Sequence, residues 1–81
     1  SAPEEAWRWL TVHLPDLDRM LTGTPLLSTL LAAALPMLGP SREDEARAYF
    51  ARNPYPEADR GVRKGLERME INSAFLRRLA A

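Results

Sequence analysis

The stretch from Thr24 to Pro36 reads TPLLSTLLAAALP. Threonine caps helix starts and proline suits a first helical turn. Leu26, Leu27, Leu30, Leu31, Ala34 and Leu35 then recur at the three- and four-residue spacing of a broad apolar helix face. Pro36 is expected to end that helix, because proline removes a hydrogen bond and clashes with the preceding turn. The apolar run from Pro25 to Leu38 is about 14 residues and holds Ser28, Thr29 and Pro36, whereas crossing a bilayer takes roughly 20 apolar residues. The stretch therefore reads as the most buried helix of a small bundle, and no membrane partner is expected.

Outward from it, punctuation divides the chain into about five helical pieces. Pro3, Glu4 and Glu5 suit the first turn of an N-terminal helix. One stripe of that helix carries Ala6, Trp9, Leu10 and His13, and an overlapping one carries Trp7, Leu10 and Leu14. Pro15 is expected to stop it and to start a short second helix over Asp16–Leu21, closed by Thr22-Gly23. Beyond the core helix, Ser41 with Asp44 three residues on resembles a capping box, with Glu43, Asp44 and Glu45 against the positive helix end. Ala46, Tyr49 and Phe50 form that helix's inward face. Asn53-Pro54-Tyr55-Pro56 forces a stop and restart, and the last helix is expected over about 57–79. Leu30, Leu31, Tyr49, Phe50, Leu66, Met69 and Leu76 are the expected core joining the third, fourth and fifth helices. Gly61 and Gly65 each cost up to ~1 kcal/mol relative to alanine in a helix, so a close helix–helix approach is expected there.

Composition agrees. Thirteen leucines and twelve alanines against three β-branched aliphatics favour helix over strand. The fold class is all-α, with antiparallel helix pairs of the kind that stack in HEAT and armadillo repeats. Eighty-one residues allow a single helical domain. Ser1-Ala2 in place of an initiating methionine fits methionine removal or a remnant of excision.

Charge and chemistry narrow the function. Eleven basic and eleven acidic side chains cancel, so the field that draws proteins to nucleic acid or anionic lipid is absent. With no cysteine and one histidine, His13, the chain lacks a thiolate nucleophile, a disulfide frame and a Cys/His zinc site, and no metal or cofactor of its own is expected. No catalytic residue stands out. His13 reads as a packed or capping residue, and the acids Glu43–Glu45 as a dipole-complementing first turn rather than a cation site. The charge is split, −4 over residues 1–59 and +4 over residues 60–81. Arg60, Arg63, Lys64 and Arg68 recur on one stretch of the last helix, either as a solvated face paired to Glu57 and Glu67 or as contacts for an anion or a substrate. Trp7 and Trp9 lie two apart and cannot share a helix face, so one indole is expected to be left for a partner or a second copy of the chain, favouring weak self-association.

The order Ala6-Trp7-x-Trp9-Leu10 with His13-Leu14, the Leu26-Leu27 and Leu30-Leu31 helix, and the Ser41 helix start leading to Tyr49-Phe50 and Pro54/Pro56 is distinctive as a series. With the ending Arg60-x-Val62-Arg63-x-x-Leu66-Glu67-x-Met69-x-x-Asn72-x-x-Phe75-Leu76, it resembles the last stretch of the aminopeptidase N family of zinc aminopeptidases, from about Glu5 to Arg77. Phe75 stands where that family usually has tryptophan, Leu14 where an aromatic is common, and Gly65 is less typical. The resemblance implies a non-catalytic segment, the final helices of a superhelix that encloses a peptide-binding cavity. The H-E-x-x-H zinc site and the zinc itself would belong to the parent's catalytic domain. The implied partners are the preceding helices and that domain, with the peptide substrate met indirectly through Arg60, Arg63 or Lys64; the absence of cysteine and of a visible signal peptide is compatible with a cytoplasmic parent. A second reading is an independent module that docks an amphipathic helix between the third and fifth helices. A third, a helix-turn-helix DNA binder, conflicts with the neutral charge and with Glu67 and Glu70 among the basic residues.

Overall fold

The computed structural model describes all 81 residues, Ser1–Ala81. It is entirely helical: α1 (Ala2–Met20), α2 (Leu26–Met37), a 3₁₀ turn (Pro40–Arg42), α3 (Glu43–Arg52) and α4 (Asp59–Ala80). The helices number four rather than five, because α1 runs unbroken through Pro15. Losing the hydrogen bond to the Thr11 carbonyl is offset by packing: Leu14 is fully buried and Leu17 rests against the core, and both sit on the stripe begun by Trp7 and Leu10. Pro36 likewise lies inside α2, one residue before its end, where little helix remains to be disrupted.

The helix ends are closed locally. Ser1 caps α1, its hydroxyl accepting from the Glu4 N–H at 3.3 Å, with Glu4 and Glu5 in the first turn. At the far end the Thr22 hydroxyl donates to the Asp18 and Arg19 carbonyls. Gly23, at φ 82°, turns the chain, and its N–H donates to Glu57 at 3.1 Å. The Thr24 hydroxyl accepts from the Leu26 N–H at 3.3 Å, but α2 starts one residue later than expected, with Pro25 rather than Thr24 at its N-cap. The expected capping box at Ser41 is not formed. Ser41 lies in the 3₁₀ turn and α3 starts at Glu43 without a side-chain cap, relying on three acids at its positive end instead. Helix α4 starts at Asp59, two residues later than expected, with Ala58 buried at its N-cap.

Cross-helix contacts fix the directions. Glu4 reaches Arg42, and Trp7 reaches Glu45 and Tyr49, so α1 and α3 run parallel. Glu43 meets Ser73 and Arg47 meets Glu70, so α3 and α4 are antiparallel. Ser28 lies against Gly61 and Leu31 against Gly65, which makes α2 and α4 parallel neighbours. That last seam is the tightest in the molecule. A Cβ on Gly61 would overlap the Ser28 carbonyl, and one on Gly65 would stand 2.9 Å from the Leu31 carbonyl oxygen. The close approach expected at the two glycines is therefore present.

The core is Trp7, Leu10, Leu14, Leu27, Leu31, Leu35, Leu38, Ala46, Ala58, Val62 and Met69, with Tyr49, Phe50, Tyr55 and Leu66 packed against it. Two expected core residues lie outside it: Leu30 is 43 % and Leu76 47 % exposed. The buried stripe of α2 is Leu27–Leu31–Leu35, which turns Leu30 to the side. No residue of α4 beyond Ser73 is buried, so Leu76 lies past the end of its partners.

One polar tie crosses the core edge. The Ser73 hydroxyl donates to Glu43 at 2.6 Å, and Arg47 donates to the same carboxylate at 3.1–3.2 Å. The Ser73 bond chiefly holds the Glu43 carboxyl below the ordinary carboxylate range; burial opposes that and Arg47 adds to it. A depressed native pKa contributes stability that is complete above the unfolded value, about 4.3, and lost as pH falls through the native value. Ser73→Ala should thus lose roughly 1.5–3 kcal/mol at pH 7. The deficit relative to wild type should shrink on acidification below about pH 4, as urea midpoints at pH 7 and pH 3 would show. An equal deficit at both would assign Ser73 a packing role alone.

Candidate functional site

Two surfaces bring together the residues singled out in the sequence. The first is an apolar groove between α1 and α2. Antiparallel contact places Pro3 and Ala6 near Met37, and Trp9 near Leu30 and Ala34, around a cavity of about 480 Å³. Trp7 and Trp9 divide as their spacing requires. Trp7 is buried, its indole N–H donating to Glu45 at 3.0 Å and its ring meeting Tyr49 edge-on at 5.3 Å. Trp9 is 54 % exposed on the groove wall. His13 packs against the Trp9 ring at 4.5 Å, on the outer stripe of α1. Met37 is 81 % exposed.

Sequence reasoning missed the α2 half of this groove, although a signal was present. Only Ser28 and Thr29 interrupt the apolar character of α2, and a helix apolar on nearly every side is normally enclosed on every side. Here Leu26, Leu30 and Met37 have no neighbour within the chain to cover them. Behind the groove, Tyr49 and Phe50 stack edge-to-face at 5.1 Å. The Tyr49 hydroxyl lies 2.7 Å from that of Tyr55. Burial first, and then that hydrogen bond, push the Tyr49 phenol above its ordinary range. These aromatics fix α1 on α3 and leave Trp9 facing outward.

The second surface lies along the seam between α2 and α4. Arg60 and Lys64 line a polar groove of about 550 Å³ with Ser28, Thr29 and Gly61. Lys64 continues with Arg68 and Glu67 into the adjoining depression. Arg63 is not part of this group: it is paired to Asp59 at 3.2 Å on the exposed side of α4. The acids at the start of α3 are engaged elsewhere, Glu43 with Ser73 and Arg47, and Glu45 with Trp7 and Arg42. No cluster of three or more His, Asp or Glu side chains is arranged to hold a metal ion. The single imidazole, lying on Trp9, does not fit a zinc site, which takes three protein ligands.

The surfaces are those of an all-helical segment with an uncovered end and no reacting constellation. Similar sequences occur in aminopeptidases. The chain is 32 % identical over 65 residues to the leucyl aminopeptidase of Saccharolobus solfataricus, covering 80 % of this chain and 8 % of that protein. It is 34 % identical over 61 residues to the probable aminopeptidase 2 of Sulfurisphaera tokodaii, covering 75 % and 8 %. It is 26 % identical over 77 residues to aminopeptidase M1-C of Oryza sativa subsp. japonica, covering 94 % and 9 %. The chain thus spans less than a tenth of the length of the curated relatives it matches, and it is related to a short helical segment of aminopeptidases. No protein-family model matches it, and no solved structure does.

Proposed function

We propose that this chain is the non-catalytic C-terminal segment of a zinc-dependent aminopeptidase of the aminopeptidase N type, capping a HEAT- or armadillo-like superhelix that encloses the peptide-binding cavity. The observation that carries the reading is the uncovered apolar groove of Trp9, Leu30 and Met37, in a chain matching less than a tenth of its aminopeptidase relatives. Helix directions support it. With α1 parallel to α3 and α2 parallel to α4, the chain has the form of two stacked antiparallel pairs, and in such stacks each pair buries its face against the next. A further pair related to α1–α2 by the same step backwards from α3–α4 would lie on the groove. The preceding helices of the parent are its occupant, while zinc and catalysis lie in the parent's catalytic domain.

Two tests follow from this reading. The 81-residue chain alone should hydrolyse no aminoacyl chromogenic substrate and should bind no zinc stoichiometrically in equilibrium dialysis, because no three-ligand site exists; turnover by the pure chain would overturn the proposal. In the full-length parent, Trp9→Glu should bury a charge in the interface and cost about 3 kcal/mol or more, lowering the melting temperature of the whole helical domain. An unchanged melting temperature would place Trp9 in solvent there too, and would favour the independent interaction module instead.

A further inference from the structure

The groove between α2 and α4 has the chemistry of an anion site that the capping role does not use. Arg60 and Lys64 stand one helical turn apart on α4, about 6 Å along its axis. Neither is in an ion pair, whereas Arg8, Arg19, Arg42, Arg47 and Arg63 each have a carboxylate partner. Opposite them α2 supplies Ser28 and Thr29, whose hydroxyls join no hydrogen bond within the chain. No carboxylate lines this part of the groove; Glu67 belongs to the adjoining depression with Arg68, and Glu57 accepts from the Gly23 N–H just before α2.

A second observation comes from the helix directions. Because α2 and α4 run parallel with Ser28 against Gly61, their positive ends lie side by side at the same end of the groove. The first intrahelical bonds there are donated by Thr29 and Val62; of the amides before them, that of Leu26 donates to the Thr24 hydroxyl, and Asp59 stands in the first turn of α4. Two cations, two hydroxyl donors and two positive helix ends together suit a ligand with more acceptor oxygens than a carboxylate has. A phosphate offers three or four, and guanidinium with hydroxyl donors is a strong combination for it.

We propose that the α2–α4 groove binds a phosphate-class oxyanion, held between the Arg60 guanidinium and the Lys64 ammonium with Ser28 and Thr29 as neutral donors. Arg68 lies further along the same stripe and extends the positive field without touching the anion.

Equilibrium dialysis of the complete polypeptide with radiolabelled inorganic phosphate, at constant ionic strength, tests this directly. Wild type should show a saturable site that the double variant Arg60→Gln/Lys64→Gln weakens by about tenfold or more. Arg77→Gln/Arg78→Gln, which removes the same charge from the free end of α4, should leave it intact. All four side chains are exposed, so folding is not at issue. Displacement by glycerol phosphate at lower concentration than by inorganic phosphate would identify a phosphomonoester as the natural ligand, and the reverse order the free ion. Equal loss of binding in the two double variants, or equal displacement by succinate or chloride, would reduce the effect to general charge and overturn the site.

Discussion

Gly61→Ala should be among the most damaging single substitutions in this chain. In an exposed helix the change from glycine to alanine is favourable by up to about 1 kcal/mol. Here the added methyl would overlap the Ser28 carbonyl oxygen, which is backbone and cannot rotate away. Relief requires α2 and α4 to separate, opening the seam from Ser28 to Leu35 and exposing Leu31, Leu35 and Met69, all now fully buried. Overpacking commonly costs 1–3 kcal/mol and occasionally more. Against backbone the cost should be at or above the upper end, a large share of the roughly 4–12 kcal/mol expected for a chain of this size. Gly65→Ala should cost less, because part of its obstruction is the Leu35 side chain, whose Cδ1 would lie 2.8 Å away and can shift. Urea denaturation followed by circular dichroism would rank the three proteins. A Gly61→Ala protein as stable as wild type would mean that the two helices do not cross at this distance.

The second large effect is expected at Leu31. Its side chain is wholly enclosed, so Leu31→Ala removes buried methylenes and leaves a cavity that neighbouring backbone cannot fill, at about 2–5 kcal/mol. The adjacent Leu30→Ala should cost under about 1 kcal/mol in the isolated chain, because that side chain is already half in solvent. The contrast is informative in the parent enzyme. If a preceding helix pair covers the groove there, Leu30→Ala should become costly while the Leu31 effect stays the same. Thermal melts of both variants in both contexts would check it, and comparable losses at Leu30 and Leu31 in the isolated chain would mean that the faces of α2 are wrongly assigned.

Much of this architecture was legible because helix propensity, Pro/Gly punctuation and apolar spacing pointed the same way from Thr24 to Leu35 and along α4. The glycine pair announced the close seam, since two unfavourable residues four apart in one helix need a compensating contact. The prolines misled for a physical reason. Their local cost is read directly from sequence, whereas the burial of Leu14 and Leu17 that outweighs it at Pro15 is set by tertiary partners. Leu30 was assigned to the core because α2 is apolar on almost every side, so periodicity could not choose between its faces. For the candidate sites, the divergence of Trp7 from Trp9 followed from spacing. The separation of Arg63 from Arg60 and Lys64 was legible too, because Asp59 and Arg63 are spaced four apart on one helix, although reading the basic residues as one stretch passed over it.

The parallel seam also governs the order in which the molecule is assembled. Ser28 and Gly61 are among the most tightly apposed residues, yet the 3₁₀ turn, all of α3 and the Asn53–Pro56 link lie between them along the chain. Closing that loop costs entropy before any contact rewards it, much as the Glu43–Ser73 tie does across 30 residues. Interactions absent from the transition state set how fast a native protein opens, with little influence on how fast it forms. A seam that closes after the transition state therefore lets two glycines, residues without side chains, govern the lifetime of the folded state.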